Sequence, residues 1–176
     1  MSGEKTLATS LASSLAIASD HAGFPLKEYL KHALPDIDWK DLGPTGTDRV
    51  DYPDFAKKVA EAVAAGKAPA GVLVCGTGVG MSITANKIKG VRAAVVESEC
   101  AARLSRRHND ANVLCLGARI LAPEYAKEIV EAWLASEFEG GRHAERVQKI
   151  RELEASAHET HDTKFPNHPH HKPSKS

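Results

Sequence analysis

Five short runs of mostly apolar residues alternate with longer stretches whose apolar positions recur at helical spacing, and this alternation limits the chain to very few folds. The runs are 15–19, 38–42, 70–74, 91–96 and 112–116, of which 38–42 is the most polar. Between them, Phe24, Leu26, Tyr29, Leu30 and Leu34 predict one helix, and Phe55, Val59, Ala60 and Val63 a second, opened by Tyr52-Pro53. A third carries Ile83, Ala85 and Ile88, a fourth covers 99–107, and a fifth lies within 123–138. A last helix is expected over about 141–153. Near-uniformly apolar strands that alternate with helices predict an α/β fold, a five-stranded parallel sheet covered on both faces. Ligands of such sheets sit beyond the carboxyl ends of the strands. Asp20 and His21, Cys75 and Gly76, Glu97, and Gly117 to Arg119 all follow strands and are predicted to share one edge.

The stretch "VCGTGVGMS" after the third run is the most distinctive of these ends. It lacks the Gly-Lys-Ser/Thr ending of a P-loop, and its third glycine comes one residue early for a dinucleotide fingerprint. Glu97, at the end of the next strand, stands where a ribose-binding acid would, which keeps a nucleotide-binding module in view. A purely structural turn into a helix is another reading. The third is chemical: Gly76, Thr77, Gly78, Val79 and Gly80 turn successive backbone N–H groups toward one point and form an anion hole. A helix start adds positive potential there, a setting that favours a thiolate at Cys75.

Of 176 residues, 42% are apolar and 26% charged, with zero formal net charge, which suits one globular domain and argues against a nucleic-acid partner. No apolar run is long enough to span a membrane. The three cysteines, Cys75, Cys100 and Cys115, form no Cys-x-x-Cys pair, so neither a disulfide framework nor a metal centre is expected in the core, and a reduced, cytoplasmic setting is. Residues 1–14 read as a flexible extension and 15–154 as the domain. The stretch 155–176 reads as a disordered tail that holds five of the nine histidines. Two further polar groups stand out. His108, Asn109 and Asp110 follow the fourth helix, and Arg142 and Arg146 stand four apart, on one helical face beside His143. Two guanidinium forks there suit a phosphate, although solvated surface charge explains them as well.

The stretches "SDHAG" from Ser19, "DYPDFA" from Asp51, "CGTGVGMSITANK" from Cys75, "SRRHNDANVLCLGAR" from Ser105 and "EGGRHAERV" from Glu139 closely resemble the ribose-5-phosphate isomerase B family, within the wider group of allose- and galactose-phosphate isomerases. The resemblance covers about 15–154. It implies a three-layer Rossmann-like fold without a cofactor. It also implies a homodimer, sometimes a tetramer, whose active sites are shared between subunits and take a small phosphorylated sugar. By the same resemblance Cys75 is the base that forms an enediolate, and His108 the acid/base that opens the sugar ring. Asp20, His21 and Asn109 contact substrate. Phosphate falls to His21, Arg119, Arg142 and Arg146. One branch of the family replaces the cysteine base with a glutamate where this chain has Met81, so the chain resembles the cysteine branch. The activity implied is interconversion of ribose 5-phosphate and ribulose 5-phosphate. Allose 6-phosphate or a tetrose phosphate is the alternative substrate.

Overall fold

A computed structural model describes residues 14–159. Five strands, β1 (Ser14–Ser19), β2 (Asp38–Asp41), β3 (Ala70–Cys75), β4 (Ala93–Val95) and β5 (Val113–Gly117), form one parallel sheet in the order β2-β1-β3-β5-β4. The helices between and after them are α1 (Phe24–Ala33), α2 (Tyr52–Ala64), α3 (Val79–Ala85), α4 (Glu99–Asn109), α5 (Pro123–Leu134) and α6 (Arg142–Glu159). The expected five-stranded Rossmann-like sheet is present.

Side chains alternate between the two faces of each strand, which explains why its central strands are apolar throughout. Leu15, Ile17, Val72, Val74, Leu114 and Leu116 meet α1, α4 and α5 through Leu26, Leu30, Ala102, Ile129 and Trp133. Ala16, Ala18, Leu73, Cys75, Val113 and Cys115 meet α2 and α3 through Val59, Val63, Met81 and Ala85. The result is three layers. Small residues on the second face let α2 approach closely: a Cβ on Gly71 would lie 2.4 Å from a Val59 methyl.

Connections run from β1 outward to β2, then return across β1 to β3, so the direction of winding reverses between β1 and β3. A crevice opens at such a reversal, beyond the strands' carboxyl ends. Asp20 directly follows β1 and Cys75 ends β3, with Ser19 and Val74 in register.

Several element ends differ from expectation by a few residues: α3 stops at Ala85, before Ile88, β4 is only Ala93–Val95, and β5 runs on to Gly117. Two further differences are larger in consequence. Helix α4 includes His108 and Asn109 in its last turn, and the left-handed Asp110 (φ 48°) ends it, so these residues terminate the helix instead of following it. Helix α6 continues to Glu159, so residues 155–159 are helical, where a disordered tail was expected to begin. Its continuation is consistent with the good helix formers Glu152, Leu153, Glu154 and Ala155. The expected extension at 1–14, apart from Ser14, which belongs to β1, and the remaining tail lie outside the described residues.

Candidate active site

The loop after β1 folds over the end of β3. The Asp20 amide donates to the Val74 carbonyl (3.1 Å), and the Asp20 carboxylate accepts from the Gly23 amide (2.8 Å). A Cβ on Gly23 would sit 2.4 Å from the Val74 carbonyl oxygen and 3.0 Å from the Cys75 nitrogen, so only glycine permits this crossing. Asp20 is thereby buried beside the β3 end. His21 lies half-buried, its Nδ1 3.3 Å from the Val50 carbonyl and 3.4 Å from the Val50 amide. That contact ties it to the loop leading into α2.

Cys75 is buried at the last position of β3, and its Sγ accepts a hydrogen bond from the Gly78 amide at 3.1 Å. The donor is aimed at the sulfur because Gly78 takes a left-handed conformation (φ 77°) that side chains resist. The glycine loop is wedged against its neighbours: a Cβ on Gly117 would lie 2.9 Å from the Thr77 backbone, and one on Gly80 2.7 Å from the Tyr52 ring. Arg119 closes the near side. Its amide donates to the Gly76 carbonyl (3.0 Å), and its guanidinium lies across Gly76, 3.4 Å from where a Cβ would be. A backbone amide of the glycine loop, a thiol and a cation thus stand together. Cys115, on the same sheet face, is a contrast: burial first, then the nearby Cys75, pushes its thiol far up, so it stays protonated.

His108, Asn109, Arg142 and Arg146 are elsewhere. Helix α4 leaves the carboxyl end of β4 and delivers its last turn to the amino end of β5. Val113 pairs with Gly71 at the start of β3, and Gly117 with Cys75 at its end, a span of about 13 Å at the usual rise per residue. His108, five residues before Val113, is therefore at the opposite pole from Cys75. There it stacks on His143, with ring centroids 4.2 Å apart and planes 5° from parallel. The Glu139 carboxylate lies 3.6 Å from His108 and 3.7 Å from His143, and also pairs with Arg107. The hydrogen bond from Arg107 holds the Glu139 carboxyl below the usual range. Burial, then the neighbouring His108 and Arg142, holds His143 below the usual imidazole value. Arg142 and Arg146, both exposed, follow on α6.

The predicted residues thus form two groups. Asp20, His21, Cys75, residues 76–80 and Arg119 share the carboxyl edge of the sheet, and His108, Asn109, Arg142 and Arg146 share the other end. Sequence reasoning did not pick out Glu139 as a link between His108 and His143, nor Tyr52 as the cover of Gly80. The four-residue spacing of Glu139 and His143 was a signal, whereas the contact with His108, 31 positions away, was not. Against the expectation of no metal centre, His108, Glu139 and His143 offer three potential ligand atoms within 4.8 Å of one another.

A family model described as Ribose/Galactose Isomerase matches residues 15–150. Ribose-5-phosphate isomerase B of Escherichia coli is 48% identical over 142 residues, 80% of this chain and 95% of that protein. D-erythrulose-4-phosphate isomerase of Pectobacterium atrosepticum is 45% identical over 78% of this chain and 92% of its own length. The solved structure of Clostridium thermocellum ribose-5-phosphate isomerase B superposes with a TM-score of 0.81 at 49% identity, covering 82% of this chain and 99% of that one. By motif, fold and extent of match, the chain belongs to the ribose/galactose isomerase family.

Proposed function

We propose that this chain, an aldose–ketose isomerase of sugar phosphates by its family, interconverts ribose 5-phosphate and ribulose 5-phosphate. The observation that carries the reading is the Cys75 sulfur at the strand-end crevice, facing the Gly78 amide and flanked by Arg119. In the proposed reaction His108 protonates the ring oxygen as the anomeric hydroxyl loses its proton, giving the open aldehyde. Cys75, as thiolate, takes the proton from C2 and returns it to C1. Between these steps the sugar is an enediolate, and its negative oxygen faces the backbone N–H groups of residues 76–80. Overall one hydrogen moves from C2 to C1 and one proton from the C2 hydroxyl to the former aldehyde oxygen. Asp20 and Asn109 hold sugar hydroxyls. His21, Arg119, Arg142 and Arg146 hold the phosphate, whose binding keeps the open chain in register with Cys75.

Because the two residue groups lie at opposite poles, the proposed site needs two copies of the chain. One subunit supplies Cys75, the glycine loop, His21 and Arg119. The other supplies His108, Asn109, Arg142 and Arg146. Exposed Val79 (50%) and Ile83 (58%) border the glycine loop and offer apolar surface for the second copy. A nucleotide-binding role fits less well, because Tyr52 packs directly over Gly80.

The relative named as an isomerase of erythrulose 4-phosphate, at 45% identity, favours a second substrate reading on the same machinery. Initial rates with ribose 5-phosphate, allose 6-phosphate and the tetrose phosphates test it. The highest kcat/KM is expected for ribose 5-phosphate, and a clear preference for another sugar would replace it as the substrate.

A further inference from the structure

We propose that His108, Glu139 and His143 form a binding site for a divalent transition-metal ion, with Zn2+ the best match. Two imidazoles and one carboxylate are a ligand set that Zn2+ takes readily, with the fourth position left to water. Tetrahedral bonds of about 2.0–2.1 Å bring ligand atoms about 3.3 Å apart. The Glu139 oxygen stands 3.6 Å from His108 Nε2 and 3.7 Å from His143 Nε2, within a few tenths of an ångström of that spacing, and ligand atoms of all three residues lie within 4.8 Å of one another. His143 is buried, which fixes one ligand in advance. The rings are parallel, and both lone pairs reach one ion only if a ring tilts. His108, with its side chain 35% exposed, has room to do so. Arg107 orients the carboxylate from behind. It also opposes a dication, as do Arg142 and Arg146, which makes binding reversible and not structural. One consequence rests on the function proposed above and on Nε2 being the nitrogen that serves the sugar ring: a metal on Nε2 takes its lone pair, so the ion inhibits turnover of the cyclic substrate.

The test uses the full-length chain with His158, His161, His168, His170 and His171 replaced by asparagine, so that the tail contributes no ligands. Titration calorimetry is expected to show one Zn2+ per chain, and Co2+ to develop the visible absorption bands of a low-coordinate nitrogen and oxygen site. Glu139→Gln, an exposed change, and His143→Gln should each weaken binding by about tenfold or more. Cys75→Ser should leave it unchanged. Affinity that is insensitive to both ligand substitutions, or that disappears with Cys75→Ser, overturns the site. Zn2+ should inhibit isomerisation of ribose 5-phosphate, with chelator restoring activity and Glu139→Gln shifting inhibition to higher Zn2+. Ligand-dependent binding without inhibition upholds the site and rejects Nε2 of His108 as the nitrogen that opens the ring.

Discussion

Cys75 and His108 stand at opposite ends of one parallel sheet, the first in register with the last residue of β5 and the second ahead of its first. No side-chain motion closes a gap of that size, so a reaction using both residues has to join two chains. Each site of a two-fold dimer then draws one residue from each subunit. Cys75→Ser and His108→Asn subunits should be nearly inactive alone. In an equal, fully exchanged mixture half the dimers are hybrids, and each hybrid holds one intact site. Activity per chain should therefore recover to roughly a quarter of wild type. Absence of recovery after subunit exchange is confirmed would reject the shared site.

Cys75→Ser should keep fold and substrate binding but lower kcat by about 10²- to 10⁴-fold, since a serine hydroxyl is a far weaker base near neutral pH. Exchange of the substrate's C2 hydrogen with solvent should fall in parallel. A variant with near-wild-type kcat would show that the proton goes elsewhere.

The fold was largely readable because β1, β3 and β5 are apolar on both faces, a pattern that only a doubly covered sheet accommodates. The Cys75 group was readable for a related reason: in a parallel sheet every strand-end loop opens on the same edge. The same rule, carried further, puts His108 at the other edge, because it closes a helix that feeds the next strand. Long-range pairings were not legible. Lys27 sits beside Leu26 in a helical pattern, yet its side chain is fully buried against Asp41, 14 residues away. Nothing in local spacing announces a buried lysine, since much of its cost is offset by that distant carboxylate and by the Pro44 carbonyl.

His108→Asn should impair turnover of ribose 5-phosphate more than that of ribulose 5-phosphate, which has no furanose ring to open. The ketose direction must be read by trapping or observing the open aldose, so that ring closure stays outside the measurement. Equal losses in both directions would contradict a role confined to ring opening.

The Lys27–Asp41 pair gives a prediction about stability and pH. Lys27 donates to both Asp41 oxygens at 2.9 Å and to the Pro44 carbonyl at 2.6 Å, securing the start of the loop that later brings Val50 to His21. Burial raises the Asp41 carboxyl, but hydrogen bonds from Lys31, Lys27 and the Gly43 amide outweigh it and hold it below the ordinary value. A depressed carboxyl contributes stability that is present above the ordinary aspartate range and lost as pH falls through the folded-state value. Asp41→Ala should cost about 2–4 kcal/mol at pH 7, less than a fully buried pair because Asp41 is 26% exposed. The variant should also lose less stability than wild type between pH 5 and the acid limit of folding, roughly the window in which such carboxylates titrate. Urea unfolding across that range measures both effects, and parallel pH curves for the two proteins would reject the linkage.

Arg146 tests the phosphate assignment at the second pole. It stands one helical turn from Arg142 and both are exposed; in the proposed shared site both forks would face the end of the substrate remote from C1 and C2. Arg146→Ala should raise KM and weaken binding of a phosphorylated hydroxamate that mimics the enediolate, each by about tenfold or more, the scale of a lost charge-assisted hydrogen bond. Some loss in kcat should accompany this, because the phosphate also orients the reacting carbons. Arg146→Lys should rescue only part of the affinity, since a mobile ammonium replaces a planar fork. The same substitution should barely change inhibition by an analogue without phosphate, which separates phosphate binding from a general disturbance of α6. Calorimetry on the folded, dimeric variant decides the matter: unchanged affinity for the phosphorylated mimic removes Arg146 from the phosphate site.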